Sequence, residues 1–329
     1  MPFMSGPLTS PRFWKYSIGG VFYALLAFGL WRYVGALDFA QLRSATVDPL
    51  WLGAAILTSL VVKSGYPLVW RCLLRGMGVT IPKGPRLFQV YLTSWLGRYT
   101  PGKAAMIGAR LVYAERVGAR KSQALVSFIV EQIVQISVGA GVGLALLVVA
   151  GRIPLPIWSA VLIVAGVIGG WIITSPPVLH RAIDVVFRAL RREPLEVFPD
   201  QRSIRQAASL HVLIQIGFGV YTLFVAAALS GHQPTWNLSF AAHLWGSFAL
   251  AVIGGMLTVF APAGLGAREA LQLLLLQPVL TPESAALLIL LHRIVEIGTD
   301  LLLFAGVHAV RSKSGKPEPL RTPSELRDT

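Results

Sequence analysis

Runs of about twenty apolar residues recur along this chain, each long enough for a helix to cross the roughly 30 Å hydrocarbon core of a bilayer. In lipid the backbone donors and acceptors have no water to bond, so such runs fold as helices. The mean hydropathy of +0.64 and the low charged fraction of 13% fit a chain embedded in a membrane. No polar stretch is long enough for a separate soluble domain. The expected fold is therefore an all-α polytopic membrane protein over residues 1–310, with a disordered basic tail at 311–329. Spans are expected near 13–36, 49–73, 122–150, 157–174, 207–229 and 285–310, and 238–260 is long enough to be another. That makes about seven full spans. The first run follows Arg12 and Lys15 and has a weak cleavage-like Val34-Gly35-Ala36, but its length favours a retained helix over a signal peptide.

Two stretches interrupt this pattern. The first, WLGRYTPGKAAMIGAR at 95–110, carries Arg98, Lys103 and Arg110 and the helix-breaking pair Pro101-Gly102. At membrane depth such a break is tolerated only where it is buried in protein or lines a wet cavity. The alternative is an ordinary cytoplasmic loop between helices. The second stretch, APAGLGARE at 261–269, again has a proline, nearby glycines (Gly264, Gly266) and a cation soon after. Basic loops flank the first stretch on both sides, which describes a re-entrant hairpin. The second would enter from the opposite face. Two units, about 49–150 and 207–310, then form an inverted-repeat arrangement whose two broken helical hairpins meet near the membrane midplane.

Charge sets the orientation. Net charge is +14, and roughly twenty of the Lys and Arg residues fall in loops assigned to one face, against about three (Arg32, Arg43, Arg152) on the other. The positive-inside rule and anionic headgroups account for this excess better than nucleic acid does. Both termini and the loop at 175–206 are then cytoplasmic. That loop holds an amphipathic stretch suited to the membrane surface. Cys72 is the lone cysteine, and no His or carboxylate set has metal-ligand spacing, so no metal or cofactor is expected.

Lys63, Arg98, Lys103, Arg110, Glu131, Arg268, Glu269, Arg293, Glu296 and Asp300 fall at or near membrane depth. Each costs about 2.5–3.5 kcal/mol at a helix centre unless paired or hydrated. Lys63 could instead snorkel to an interface. His243 and Trp245 read as packing residues. Arg293, Glu296 and Asp300 share one helical face at i, i+3 and i+7. Six cations against four carboxylates suit an anionic ligand. The alternative is that pairs such as Arg293–Glu296 and Arg268–Asp300 only lock the bundle.

These motifs, Pro101-Gly102-Lys103 with Arg110, the run at 262–269, and His292-Arg293, resemble the lysylphosphatidylglycerol synthase transmembrane-region family, over nearly all of 13–310. Gln132 departs from the arginine usual in that family after Glu131. The resemblance implies a flippase-like domain moving a lipid between the leaflets of a bacterial-type inner membrane. In the multiple peptide resistance factors an aminoacyltransferase domain is fused to it; here only a short tail follows Val310, so this chain is not expected to make aminoacyl lipids itself. Free-standing members are associated with isoprenoid-linked sugars, hopanoids or glycolipids. The expected substrate-binding residues are Arg98, Pro101, Gly102, Lys103, Arg110, Glu131, Gly264, Gly266, Arg268, Glu269, Arg293, Glu296 and Asp300. Membrane lipids are the expected partners, with a homo-oligomer or a lipid-modifying enzyme as further candidates. Competing readings are a polyprenyl-phosphate-dependent glycosyltransferase using Asp38 and Asp48, and a non-transporting partner of a lipid-modifying enzyme.

Overall fold

The computed structural model describes residues 46–83, 85–100, 104–151, 177, 181, 197–229, 237–258 and 261–313, and every element among them is helical. The expected spans at 13–36 and 157–174, the amphipathic stretch, Pro101-Gly102-Lys103 and nearly all of the tail lie outside the described residues.

Helix α1, Pro49–Lys63, starts where the Asp48 carboxylate accepts from Leu50 N at 2.8 Å and Pro49 fills a position that needs no donor. Its buried Ala55, Ser59, Val62 and Lys63 make one stripe facing the bundle. After Ser64 and Gly65 the chain continues as α2, Tyr66–Arg75. The expected span at 49–73 is thus two helices joined by a kink, as the nearby Gly65 and Pro67 require.

The first broken stretch is a hairpin. Helix α3, Arg86–Leu96, ends in a 3-10 turn at Gly97–Tyr99, and α4, Ala104–Val112, runs back against α3. At 1.5 Å per residue the arms are about 16 and 14 Å long, so neither spans alone. Gly97 permits the return: a Cβ there would lie 2.3 Å from Met106 N. A short turn at Ala114–Val117 leads to α5, Lys121–Val149.

Helix α6, Gln201–Ala228, is capped by Asp200 and packs on α1, α2, α5, α7 and α9, which makes it the centre of the bundle. It starts six residues earlier than hydropathy alone places it, because the cap and not the apolar run sets its first turn. Helix α7, Leu238–Leu257, begins at its Asn237 cap. The second break follows, as a 3-10 turn at Pro262–Gly264, then α8, Ala267–Leu276, and the long α9, Pro282–Lys313. Helix α7 is about 30 Å long and can cross alone, whereas α8, at about 15 Å, cannot. Gly264 has φ +69°, and a Cβ there would lie 2.5 Å from Gly255 Cα, so the turn seats directly on α7.

The hairpins point toward each other. Gln89 on α3 donates to the Val307 carbonyl near the end of α9, while His243 near the start of α7 bonds the Leu275 carbonyl at the end of α8. The turn at Gly97–Tyr99 touches the turn at Pro262–Gly264 in the middle of the molecule.

Candidate functional site

Four carboxylates near the two breaks organise the buried charge. Asp300 on α9 accepts from Lys63 Nζ at 2.7 Å, Arg98 Nη2 at 2.6 Å, Tyr99 OH at 2.7 Å and Trp95 Nε1 at 3.3 Å. Lys63 also donates to Thr299 Oγ1 and to the Glu296 carbonyl, and it is 3% exposed. It is a buried member of the site and does not snorkel. The kink after it is the reason: α1 ends at Lys63 itself, and this last inward position lies against α9. One turn back on α9, Glu296 accepts from Nη1 and Nη2 of Arg268, at 2.6 and 3.0 Å. The Arg268 guanidinium also lies 4.9 Å above the Phe248 ring.

The other two pairs lie away from this centre. Arg110 on α4 donates to Glu131 on α5 at 2.5 Å, over the ring of Tyr91, whose hydroxyl bonds the same carboxylate. Arg293 bonds Glu269 at the start of α8, and Glu269 also accepts from Gly266 N at 2.5 Å. The lock pairs suggested by the i, i+3, i+7 stripe, Arg293–Glu296 and Arg268–Asp300, are therefore not formed. Both arginines pair elsewhere, Arg268 with Glu296 and Arg293 with Glu269, because α8 brings Arg268 and Glu269 to different levels of α9.

Among the described residues the pairing leaves one charge over. Arg110, Arg268 and Arg293 have one carboxylate each, and Asp300 alone faces both Lys63 and Arg98. Of the two, Arg98 is the more accessible, with its side chain 17% exposed, stacked over Trp95 at 4.6 Å and Tyr99 at 5.0 Å. Its Nε has no partner among the described residues.

A cavity of about 80 Å³ opens between the two breaks. Its charged lining is Lys63, Arg98, Arg268 and Glu296. Ala263 of the second break lines it too, with φ +50°, a left-handed backbone that costs a non-glycine residue about 1–2 kcal/mol. Of the sequence-expected site residues, Arg98, Arg268 and Glu296 face this cavity and Asp300 holds Arg98 from behind. Arg110, Glu131, Glu269 and Arg293 do not line it: they tie the second arm of each hairpin to the helix that follows. Gly264 and Gly266 shape the second break without lining the cavity. Sequence reasoning missed Gln132, Gln135 and Gln215, which line it on α5 and α6. The available signal was three amides in otherwise apolar spans. Asp48, a candidate for the enzyme reading, is the cap of α1. Asp38 lies outside the described residues.

Helices long and apolar enough to cross a bilayer, Pro49–Arg75, Lys121–Val149, Gln201–Ala228 and Leu238–Leu257, define a polytopic helical membrane protein with charge buried around a central cavity. The chain belongs to the lysylphosphatidylglycerol synthase TM region family, whose profile matches residues 16–303. No curated protein matches the sequence.

Proposed function

We propose that this protein moves a lipid with an anionic headgroup between leaflets, and that the headgroup phosphate engages Arg98 in the cavity between the two breaks. The observation that carries the reading is the surplus cation: the buried Lys63 and the part-buried Arg98 share one carboxylate beside a cavity at the meeting point of two helix breaks. An unneutralised charge at membrane depth is costly and is kept where it serves a ligand. A lipid phosphate supplies the missing negative charge while its acyl chains stay in the bilayer.

The matched chemistry of the two halves supports an inverted repeat. In one half Arg110 of the returning arm pairs with Glu131 over Tyr91 of the entering arm, and Trp70 donates to Ser127, four residues before that glutamate. In the other half Arg268 pairs with Glu296 over Phe248, and Tyr221 donates to the carbonyl of His292, again four residues before the glutamate. The parts recur in the same roles with the hairpins facing opposite ways. We place the chain in a bacterial-type inner membrane with both termini cytoplasmic. Termini on one face need an even number of crossings, six if both hairpins return.

Arg98 allows a clean test, since Lys63 still neutralises Asp300 without it. Arg98→Gln in proteoliposomes is expected to lower leaflet exchange of a fluorescent anionic phospholipid at least about tenfold, with the thermal unfolding midpoint changed little. Arg98→Lys should also be impaired, because an ammonium replaces neither the planar stack nor the two-point grip on phosphate. Undiminished exchange by Arg98→Gln would remove the basis of this reading.

A further inference from the structure

The cavity carries more information than its charge. Gln132 and Gln135 lie one turn apart on α5, and Gln215 faces them from α6. Gln135 is only 5% exposed, donates from Nε2 to Tyr66 OH at 3.3 Å, and leaves its Oε1 without a partner among the described residues. A buried amide oxygen with no partner costs free energy, so its place on a cavity wall points to a hydrogen-bonding ligand. Three amides side by side can both donate and accept. That matches hydroxyl groups, which do the same.

The lining also says what does not fit. Neither nearby carboxylate is free to receive an ammonium: Glu296 is held on both oxygens by Arg268, and Asp300 serves Lys63 and Arg98. Aromatic rings could in principle cage a quaternary amine. Here four rings line the wall: Trp95 and Phe248 already carry the guanidinium groups of Arg98 and Arg268, while Tyr66 stacks on Trp95 and Phe218 packs against Phe248. A cationic headgroup would lie among three cations with no counter-charge left for it. At about 80 Å³ the cavity suits the end of a small headgroup and not a long chain.

We propose that the preferred substrate is a phosphodiester lipid whose headgroup ends in an uncharged polyol, with the phosphate at Arg98 and the hydroxyls on the Gln132, Gln135 and Gln215 amides. This rests on the lipid-headgroup reading above and narrows it to one chemical class. It excludes amine-bearing headgroups, including aminoacylated ones.

The test is titration calorimetry of the full chain in detergent with dihexanoyl lipids. Phosphatidylglycerol carries phosphate and polyol, and phosphatidylmethanol has the same charge without the hydroxyls. Phosphatidylethanolamine and phosphatidylcholine add a cation. Phosphatidylglycerol should bind at least about fivefold tighter than each of the other three, the worth of one net hydrogen bond or more. Gln135→Leu should erase the gap between phosphatidylglycerol and phosphatidylmethanol while leaving phosphatidylmethanol binding unchanged. Equal binding of phosphatidylglycerol and phosphatidylmethanol, or of phosphatidylglycerol and either amine lipid, would overturn the polyol assignment alone. So would a Gln135→Leu variant that folds and keeps the gap. If Gln135→Leu does not fold, the wild-type ranking decides. Binding of none of the four lipids would overturn the headgroup site itself, and the polyol assignment with it.

Discussion

Glu296 and Asp300 lie one turn apart on α9 and hold their cations in different ways. Glu296 has one partner, gripped on two atoms, and its pair with Arg268 is buried. Removing one member of such a pair leaves an uncompensated charge in a low-dielectric interior, which costs about 3–5 kcal/mol. Arg268→Ala should therefore lower the thermal unfolding midpoint in detergent strongly. Arg268→Ala combined with Glu296→Leu should recover most of the loss, since a pair replaced by apolar groups is close to neutral. A double variant no more stable than Arg268→Ala would show that Arg268 stabilises the fold by something other than this pair. Asp300 instead divides its oxygens among four donors, and deleting Arg98 still leaves Lys63 to neutralise it. That asymmetry separates a cation that holds the bundle together from one that can be offered to a ligand.

At the scale of elements, both hairpins depend on backbone meeting backbone. The turn after α3 closes because Gly97 has no side chain between it and Met106, and the turn after α7 closes because Gly264 lies on Gly255. Gly97→Val and Gly264→Ala should each destabilise the protein, the second also through its positive φ, by at least about 1–2 kcal/mol. Gly108, inside α4, has nothing within 4 Å of its Cβ direction. Gly108→Ala should be neutral or stabilising by up to about 1 kcal/mol, from helix propensity alone. Comparing the thermal midpoints of the three variants checks this, and equal losses in all three would refute the close-approach argument. The second break was legible in the sequence from Pro262 and Gly264; at the first, Pro101-Gly102 lies outside the described residues and the described turn is made at Gly97. The kink between α1 and α2 had the same kind of signal in Gly65 and Pro67, but hydropathy continues across it and hid it.

At the scale of the whole molecule, charge among the described residues is sorted between two ends. Asp200 N donates to the Gly76 carbonyl and Gln123 Nε2 to the Met77 carbonyl, so the end of α2 and the starts of α5 and α6 lie together. That end carries Arg71, Arg75, Arg116, Arg120, Lys121, Arg202 and Arg205. At the other end Asp48 N bonds the Ala228 carbonyl and Ser239 Oγ the Ala150 carbonyl, and residues 46–62, 136–151, 206–229 and 237–258 contain no Lys or Arg. The positive-inside rule then assigns the basic end to the cytoplasm in our proposal. In a Cys72→Ser background, a membrane-impermeant thiol reagent applied from outside should label Gln277→Cys and not Gln201→Cys, two exposed positions on opposite ends. The reverse pattern would invert the orientation.

The sequence by itself determined the helical class, the two breaks, the family and the set of residues that put charge into the membrane. These follow from local properties: run length, proline and glycine chemistry, and the hydropathy of each segment. The partners of those charges were decided only by tertiary structure. Lys63 and Asp300 are 237 residues apart, and Arg268 chooses Glu296 over Asp300 by one helical turn. Such a choice depends on the relative rotation and height of packed helices, set jointly by the side chains between them. No window of sequence contains that information. The three glutamines were visible as residues while their common cavity was not: Gln132 and Gln135 share one face of α5, Gln215 lies on α6, and only packing the two helices together brings them to one wall.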